Sequence, residues 1–462
     1  MSQIVHGFRS AFRHLLIGLA VTAGVAAAAV PLRAETLGDA LVGAYRSSNL
    51  LEQNRALLRA ADENVASAVS ALRPVVNFVA SQSRTDTGGI VTHSGSLALQ
   101  ASMTLYDFGR NGLGVDVQKE TVLATRAALV NIEQTVLENA VIAFTSVRSA
   151  AQTVALRQNN VRVITEQLRA AQDRFEVGEV TRTDVALAEA RLAEARSNLV
   201  AAQGALASAR ELYKLVVGRY PDQLLPPPAG PQTAATLEEA RAIAVRRHPT
   251  IEQAQHIVAA RDLAAEAAKR GILPTITGSA SASRSVTTGT NSNQLSITLT
   301  QPLYAGGRIS AGYRAAVANA EAARADLRQQ VLLVEQAVAN AWVDIQVARS
   351  SLESSDRQIR SARVAFDSVS EEAALGARTT LDVLDAEQDL LNAQSARINA
   401  EAQLTNSVYG LLSAMGLLTV EHLNLGIPTY DPSVYYNAVQ NAPATSTQGR
   451  RLDRVLNSIG RN

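Results

Sequence analysis

In the stretch Leu97, Leu99, Ala101, Met103, Leu105 every second residue is apolar, with Ser96, Ala98, Gln100, Ser102 and Thr104 interleaved. The pattern returns as Leu295, Ile297, Leu299 and Leu303 against Ser296, Thr298 and Thr300. A period of two predicts strands with one greasy and one wet face, around 95–106 and 293–304. Partner strands, Val75 to Arg84 and Thr275 to Arg284, alternate less cleanly, and polar loops Thr85–Ser94 and Ser285–Ser292 join each pair. Elsewhere the period is helical. Val185, Leu192, Leu199, Leu206 and Tyr213 recur every seven residues, as do Ala188, Ala195, Ala202, Ala209 and Val216. Such a seam, with Ala at alternate core positions, lets helices approach closely. Val383, Leu390, Leu404 and Leu411 repeat it with Ala386, Ala393, Ala400 and Ala414, and Arg397 interrupts it. Ahead of each seam, Val115 to Val177 and Tyr313 to Leu375 hold neither Gly nor Pro. As a helix each run is about 95 Å long at 1.5 Å per residue. No compact core buries such a helix, so the pattern predicts an elongated rod or tube. Shorter helical segments, roughly 36–72 and 236–272, end before Pro74 and Pro274.

The two long runs end in matching tips. Val177-Gly178-Glu179-Val180-Thr181-Arg182-Thr183-Asp184-Val185 is echoed 198 residues later by Leu375-Gly376-Ala377-Arg378-Thr379-Thr380-Leu381-Asp382-Val383. Gly178 and Gly376 stand where a helix stops, and Thr-x-x-Asp then starts the next helix with nearly a capping box. Each tip turns a helical hairpin. Thr36-Leu37-Gly38-Asp39-Ala40 matches Thr236-Leu237-Glu238-Glu239-Ala240, and Pro74 matches Pro274, at an offset of 200. Leu105-Tyr106-Asp107-Phe108-Gly109-Arg110 matches Leu303-Tyr304-Ala305-Gly306-Gly307-Arg308 at 198. The length change therefore falls between Pro74 and Leu105. The chain divides into 1–34, a first repeat 35–218, a proline-rich linker 219–235, a second repeat 236–425 and a tail 426–462 expected to be partly disordered.

Composition narrows the picture. The chain is 47% hydrophobic but only 4% aromatic, which suits tightly packed Ala, Val and Leu helices. With no Cys there are no disulfides, thiolate metal sites or lipid-modified cysteine. A net charge of +1 gives no electrostatic reason to expect nucleic acid. Arg9, Arg13 and His14 precede an uncharged run from Leu15 to Val30, and Ala34 fits a cleavage position, so 1–34 reads as an export signal and Glu35 as the mature start. No later segment reads as a transmembrane helix, so any membrane span must be made of strands. Strands of about ten residues with one apolar face suit a membrane barrel. They would also suit a sheet on a soluble core, but rods this long cannot cover one. Four strands cannot close a barrel, and lipid does not tolerate an open edge. Strands must be pooled with copies of the chain, and three copies give twelve.

The duplicated order, Leu-Tyr-x-x-Gly-Arg after the second strand, and the Gly-to-Asp-Val tips resemble the TolC family of outer-membrane channels. The likeness covers about 35–425. It implies a mainly α chain with a membrane β-barrel, three chains forming a twelve-stranded barrel and a periplasmic tunnel of twelve helices. It also implies docking on a periplasmic adaptor and an inner-membrane ABC, RND or MFS pump, for drug efflux or type I protein secretion. The alternative is a periplasmic coiled-coil adaptor or spacer, which explains the hairpins but not four duplicated amphipathic strands. Gln301-Pro302 fits the family pattern, whereas the first half has Met103-Thr104, and Ala373 and Ala374 stand where an aromatic is common.

Candidate chemistry is electrostatic. Asp382 and Asp385 share one helix face, and in a trimer they would form two carboxylate rings that attract cations. Asp184 and Asp382 also have a capping duty. Asp385 has none, because its repeat mate is Leu187. The resemblance adds that acids occur at both ring positions in the family. Arg378 breaks the repeat against Val180, and Arg182 against Thr380. An Arg at a tip could bridge Asp184 of a neighbouring helix pair and hold the tunnel shut. The six His are scattered, with His248 and His256 eight apart rather than four, and no catalytic set, cofactor or metal site is expected. There is no nucleotide-binding loop, so energy must come from a partner.

Overall fold

The computed structural model describes residues 34–228, 230–231, 234–440, 450–451 and 454–455. All but the last residue of the expected export signal, and most of the segment beyond 440, lie outside them. The first half runs α1 (Leu37–Ser47), α2 (Asn49–Ser70), β1 (Val75–Thr87), β2 (Ile90–Tyr106), α3 (Arg110–Glu176) and α4 (Arg182–Val217). The second half runs α5 (Leu237–Arg247), α6 (Pro249–Lys269), β3 (Thr275–Ser285), β4 (Asn291–Thr300), α7 (Arg308–Ala374) and α8 (Thr380–Ala414), followed by α9 (Pro432–Val439). The two long helices, α3 and α7, have 67 residues each, or about 100 Å.

The helical segments expected over 36–72 and 236–272 are each broken in two. At the breaks Ser48 and His248 turn extended (φ −69° in both), and each caps the helix that follows. Ser48 Oγ accepts from the Leu51 amide at 3.2 Å, and His248 Nδ1 accepts from that of Thr250 at 3.2 Å. Pro249 announces the second break, but no proline marks the first.

All four strands form one antiparallel sheet in the order β1-β2-β3-β4. Register sorts the faces that β1 and β3 left blurred in sequence. Phe78 sits opposite Leu99, Ala101 opposite Ala280 and Ala280 opposite Leu295, so one face carries Val76, Phe78, Leu97, Leu99, Leu295, Ile297 and Leu299. On the other face serine hydroxyls pair across strands, Ser81 with Ser96 at 2.8 Å and Ser279 with Ser296 at 2.7 Å. The apolar face is uncovered, with Phe78 70% and Ile297 72% exposed. Val75 pairs with Ser102 and Thr275 with Thr300, which keeps β1 at offset 200 and β2 at offset 198. The length change thus lies in the hairpin turn. The expected loop 85–94 is mostly strand, closed by Gly88-Gly89 with both φ positive, as a two-residue hairpin turn demands. Conversely β4 stops at Thr300, short of the expected 304, because Pro302 has no amide to offer a partner strand. Its repeat mate is Thr104, and β2 runs on to Tyr106.

The main core lies at the middle of the rod. Leu37, Leu41, Leu137, Phe144, Tyr213, Leu412 and Leu418 are buried where α1, α3, α4 and α8 meet. Ala240, Ile251, Val338, Ile345 and Met415 form its counterpart around α7. The long helices are not equally covered. α3 packs against α1, α2, α4, α6 and α8, while α7 packs against α5, α6 and α8. By the repeat, α6 and α8 on α3 correspond to α2 and α4 on α7, and that second face stays open. Leu332, Val343, Val347 and Val364 are exposed along α7. Contrary to expectation, α7 is long and apolar enough to cross a membrane by length and composition, and its open face carries part of that apolarity.

Within the tail, residues up to 440 are described, and the part expected to be disordered lies almost wholly outside the described residues. α9 lies on α2, with Tyr435 donating to Glu63 at 2.8 Å and the Arg55 and Arg126 guanidiniums 5.2 Å from the Tyr430 and Tyr436 rings. Beneath it, burial pushes the Asp62 carboxyl up to about 6, against the opposing pull of Arg126. Near the start of the described residues, Glu35 is buried and receives hydrogen bonds from Tyr213, from Arg219 at 2.6 Å and from the Asp222 amide at 3.3 Å. Its backbone pairs with Leu224 of the linker. Tyr213→Phe removes one donor from a buried carboxylate. It should cost about 1.5–3 kcal/mol and lower the thermal unfolding midpoint of the purified protein. An unchanged midpoint would show that Glu35 is not anchored by Tyr213.

Candidate functional site: the hairpin tips

Both tips are built alike. α3 ends at Gly178 (φ 81°) and α7 at Gly376 (φ 80°), in the left-handed conformation that glycine adopts without strain. The amide of Glu179 returns to the Arg174 carbonyl at 2.9 Å, and that of Ala377 to Glu372 at 2.9 Å, satisfying the last helical carbonyls. The next helix opens on a reciprocal cap. Asp184 Oδ2 accepts from the Thr181 amide at 2.9 Å and its hydroxyl at 2.7 Å, while the Asp184 amide donates back to Thr181 Oγ1 at 3.3 Å. Thr379 and Asp382 repeat this at 2.9, 2.8 and 3.3 Å.

The two tips lie side by side across an open cleft lined by Asp184, Arg378, Asp382, Arg174 and Glu179. The structure thus brings Asp184, Arg378 and Asp382 together. Arg182 is exposed and lies outside the cleft lining, as does Gly178, while Gly376 borders it. Arg378 Nε donates to Glu372 Oε2 at 2.8 Å within its own hairpin. Glu372, and then Asp382, hold the guanidinium pKa above its usual value. Asp385 sits on the adjoining turn of α8, exposed, and meets Arg191 of α4 with 3.2 Å between Nη2 and Oδ1. Deeper in the wall, Glu387 is buried against Asn160, whose amide donates at 3.3 Å, and burial raises its pKa. Arg191 and Glu387 were missed in sequence. Arg191 had left a trace, since its repeat mate is Asp389, of opposite charge.

Hydrogen bonds from the Thr379 amide and hydroxyl hold the Asp382 carboxyl below its ordinary range, and the Thr181 hydroxyl and amide do the same for Asp184. The tip geometry offers fixed charge at the end of the helical hairpins.

A profile described as "Outer membrane efflux protein" matches residues 42–218 and 241–417. The chain belongs to the outer membrane efflux protein family. It is 37% identical over 415 residues to the outer membrane efflux protein BepC of Brucella suis biovar 1, covering 88% of this chain and 91% of that one. It is 26% identical over 456 residues to the outer membrane protein TolC of Escherichia coli, covering 91% and 90%. Among solved structures the CmeC outer membrane channel of Campylobacter jejuni shares the fold, with TM-score 0.74 at 18% identity over 89% of this chain and 90% of that one. The protein is thus an outer-membrane export channel reaching into the periplasm, and the spacer alternative falls away. The likeness to known channels carries the fold, with its amphipathic sheet and paired helical hairpins; it does not test the tip charges.

The caps contribute in full at neutral pH. Both acids have lowered pKa values, so capping is lost only as pH falls through them, below the ordinary carboxylate range. Amide protection over the first turns of α4 and α8 should therefore be flat from neutrality to about pH 5. Thr379→Ala should cost about 1 kcal/mol locally and speed exchange there roughly five-fold. Equal exchange rates in the variant and the parent would contradict the cap.

Proposed function

We propose that three copies of this chain close a twelve-stranded barrel in the outer membrane, continued by a periplasmic tunnel of twelve packed helices that narrows at the hairpin tips. The observation that carries this reading is the pair of open sheet edges, β1 and β4, beside an apolar face that nothing in the chain covers. The uncovered side of α7 supports it, because α2 and α4 of a neighbouring copy fit there by the repeat. The protein is a passive duct and not an enzyme. It takes its energy by docking on a periplasmic adaptor and an inner-membrane ABC, RND or MFS pump.

At the narrow end, Asp382 and Asp385 line an aperture as two rings of carboxylates, and Arg378, Asp184 and Arg182 make the contacts that keep it shut. The tip cleft that joins Asp184, Arg378 and Asp382 supports this assignment. Each acid ring attracts cations and resists anions. Native mass spectrometry of detergent-extracted protein should give a trimer, and a monomer would refute the barrel. In planar bilayers a trivalent cation should block the channel, Asp382→Ala should weaken that block, and Arg378→Ser should raise conductance by loosening the tip. Parent-like block and conductance in both variants would remove the tips from the gate.

A further inference from the structure

We infer that Arg191 sets the charge of the tip aperture by pairing with Asp385, and so makes this channel less selective for cations than two bare acid rings would. This rests on the reading that Asp382 and Asp385 line the aperture. The two acids are held differently. Asp382 is bonded by a neutral hydroxyl and an amide, so its negative charge stays uncompensated by these bonds. Asp385 meets a cation, Arg191 Nη2, at 3.2 Å. Nη1 of the same guanidinium lies 3.2 Å from Glu194 Oε2, which fixes Arg191 along its own helix while it reaches from α4 to α8.

Both side chains stay partly exposed, 37% for Arg191 and 58% for Asp385, so the pair contributes little to stability. Its consequence is electrostatic. Arg191, Asp385 and Glu194 together carry one net negative charge, where the two acids alone would carry two. Around a trimer that removes three charges from the wall of the constriction. The fold does not require the pair, because the repeat places Asp389 at the Arg191 position and Leu187 at the Asp385 position. A feature absent from one of two structurally matched hairpins is free to serve permeation. Solutes of either sign would then pass an end where Asp385 no longer adds its full charge to that of Asp382.

The test is block of single channels in planar bilayers by cobalt(III) hexammine, with reversal potential in a salt gradient as a second readout. Arg191→Gln removes three positive charges at about one Debye length from a trivalent blocker, so the half-blocking concentration should fall on the order of tenfold. The reversal potential should move toward cation selectivity, and Arg191→Lys should keep the parent values. Asp385→Ala should weaken block by a similar factor, and combined with Arg191→Gln it should return block to near the parent value. If Arg191→Gln blocks like the parent while Asp382→Ala still relieves block, the masking role of Arg191 is wrong and the aperture reading survives. If Asp382→Ala also changes nothing, the tip is not the constriction and both fall.

Discussion

An unpaired peptide group has no water to turn to inside a bilayer. That constraint governs this molecule more than any single contact. The sheet satisfies its inner ladders and leaves β1 and β4 with one free edge each. Its outward face is already suited to lipid, with Phe78, Leu99 and Ile297 bare and serine pairs on the other side. A single chain with such a sheet is incomplete. Closing the ladder in a ring satisfies every edge at once, and the ring then dictates how the helices below must pack.

The duplication makes this economical. α3 already shows what a completed long helix looks like, with return and short helices from both repeats against it. α7 has the same 67-residue length and lacks half of that cover. In the proposed trimer the next copy restores the equivalence. The alanines of the returning helices, Ala188, Ala195, Ala393 and Ala400, are buried, and their small side chains permit the close approach a narrow tube needs. The larger side chains gather in the middle, around Phe144 and Tyr213, where helices from both halves meet and Glu35 ties α4 to the linker.

Much of the architecture was legible because its signals are long. A helix free of Gly and Pro over sixty residues has few other readings, and Gly178 and Gly376 mark its ends unambiguously. The hairpin turn was less legible. Gly88-Gly89 is a strong signal, but the polar residues around it, Asp86, Thr92 and Ser94, read as loop because on this sheet neither face needs a protein core. The break at Ser48 was hidden because a serine cap looks like any helical serine without a proline after it. At the tips the caps were readable from local spacing. The Arg191–Asp385 pair was not, since it joins residues 194 apart in sequence on helices brought together only by tertiary packing.

The central claim is that β4 of one copy meets β1 of the next as β2 meets β3 within a copy. Ala101 lies opposite Ala280 inside the chain, so the repeat offsets place Leu299 opposite Ala80 of the neighbour. The chain has no native cysteine, so a double Ala80→Cys, Leu299→Cys variant reports on that contact alone. Facing residues of an antiparallel pair lie about 4.5–5.5 Å apart at Cα, within disulfide reach. On oxidation in outer membranes, followed by non-reducing electrophoresis, the account predicts a ladder of one, two and three chains that ends at three. A product that stays monomeric, or a ladder that continues past three, would contradict the closed twelve-stranded ring.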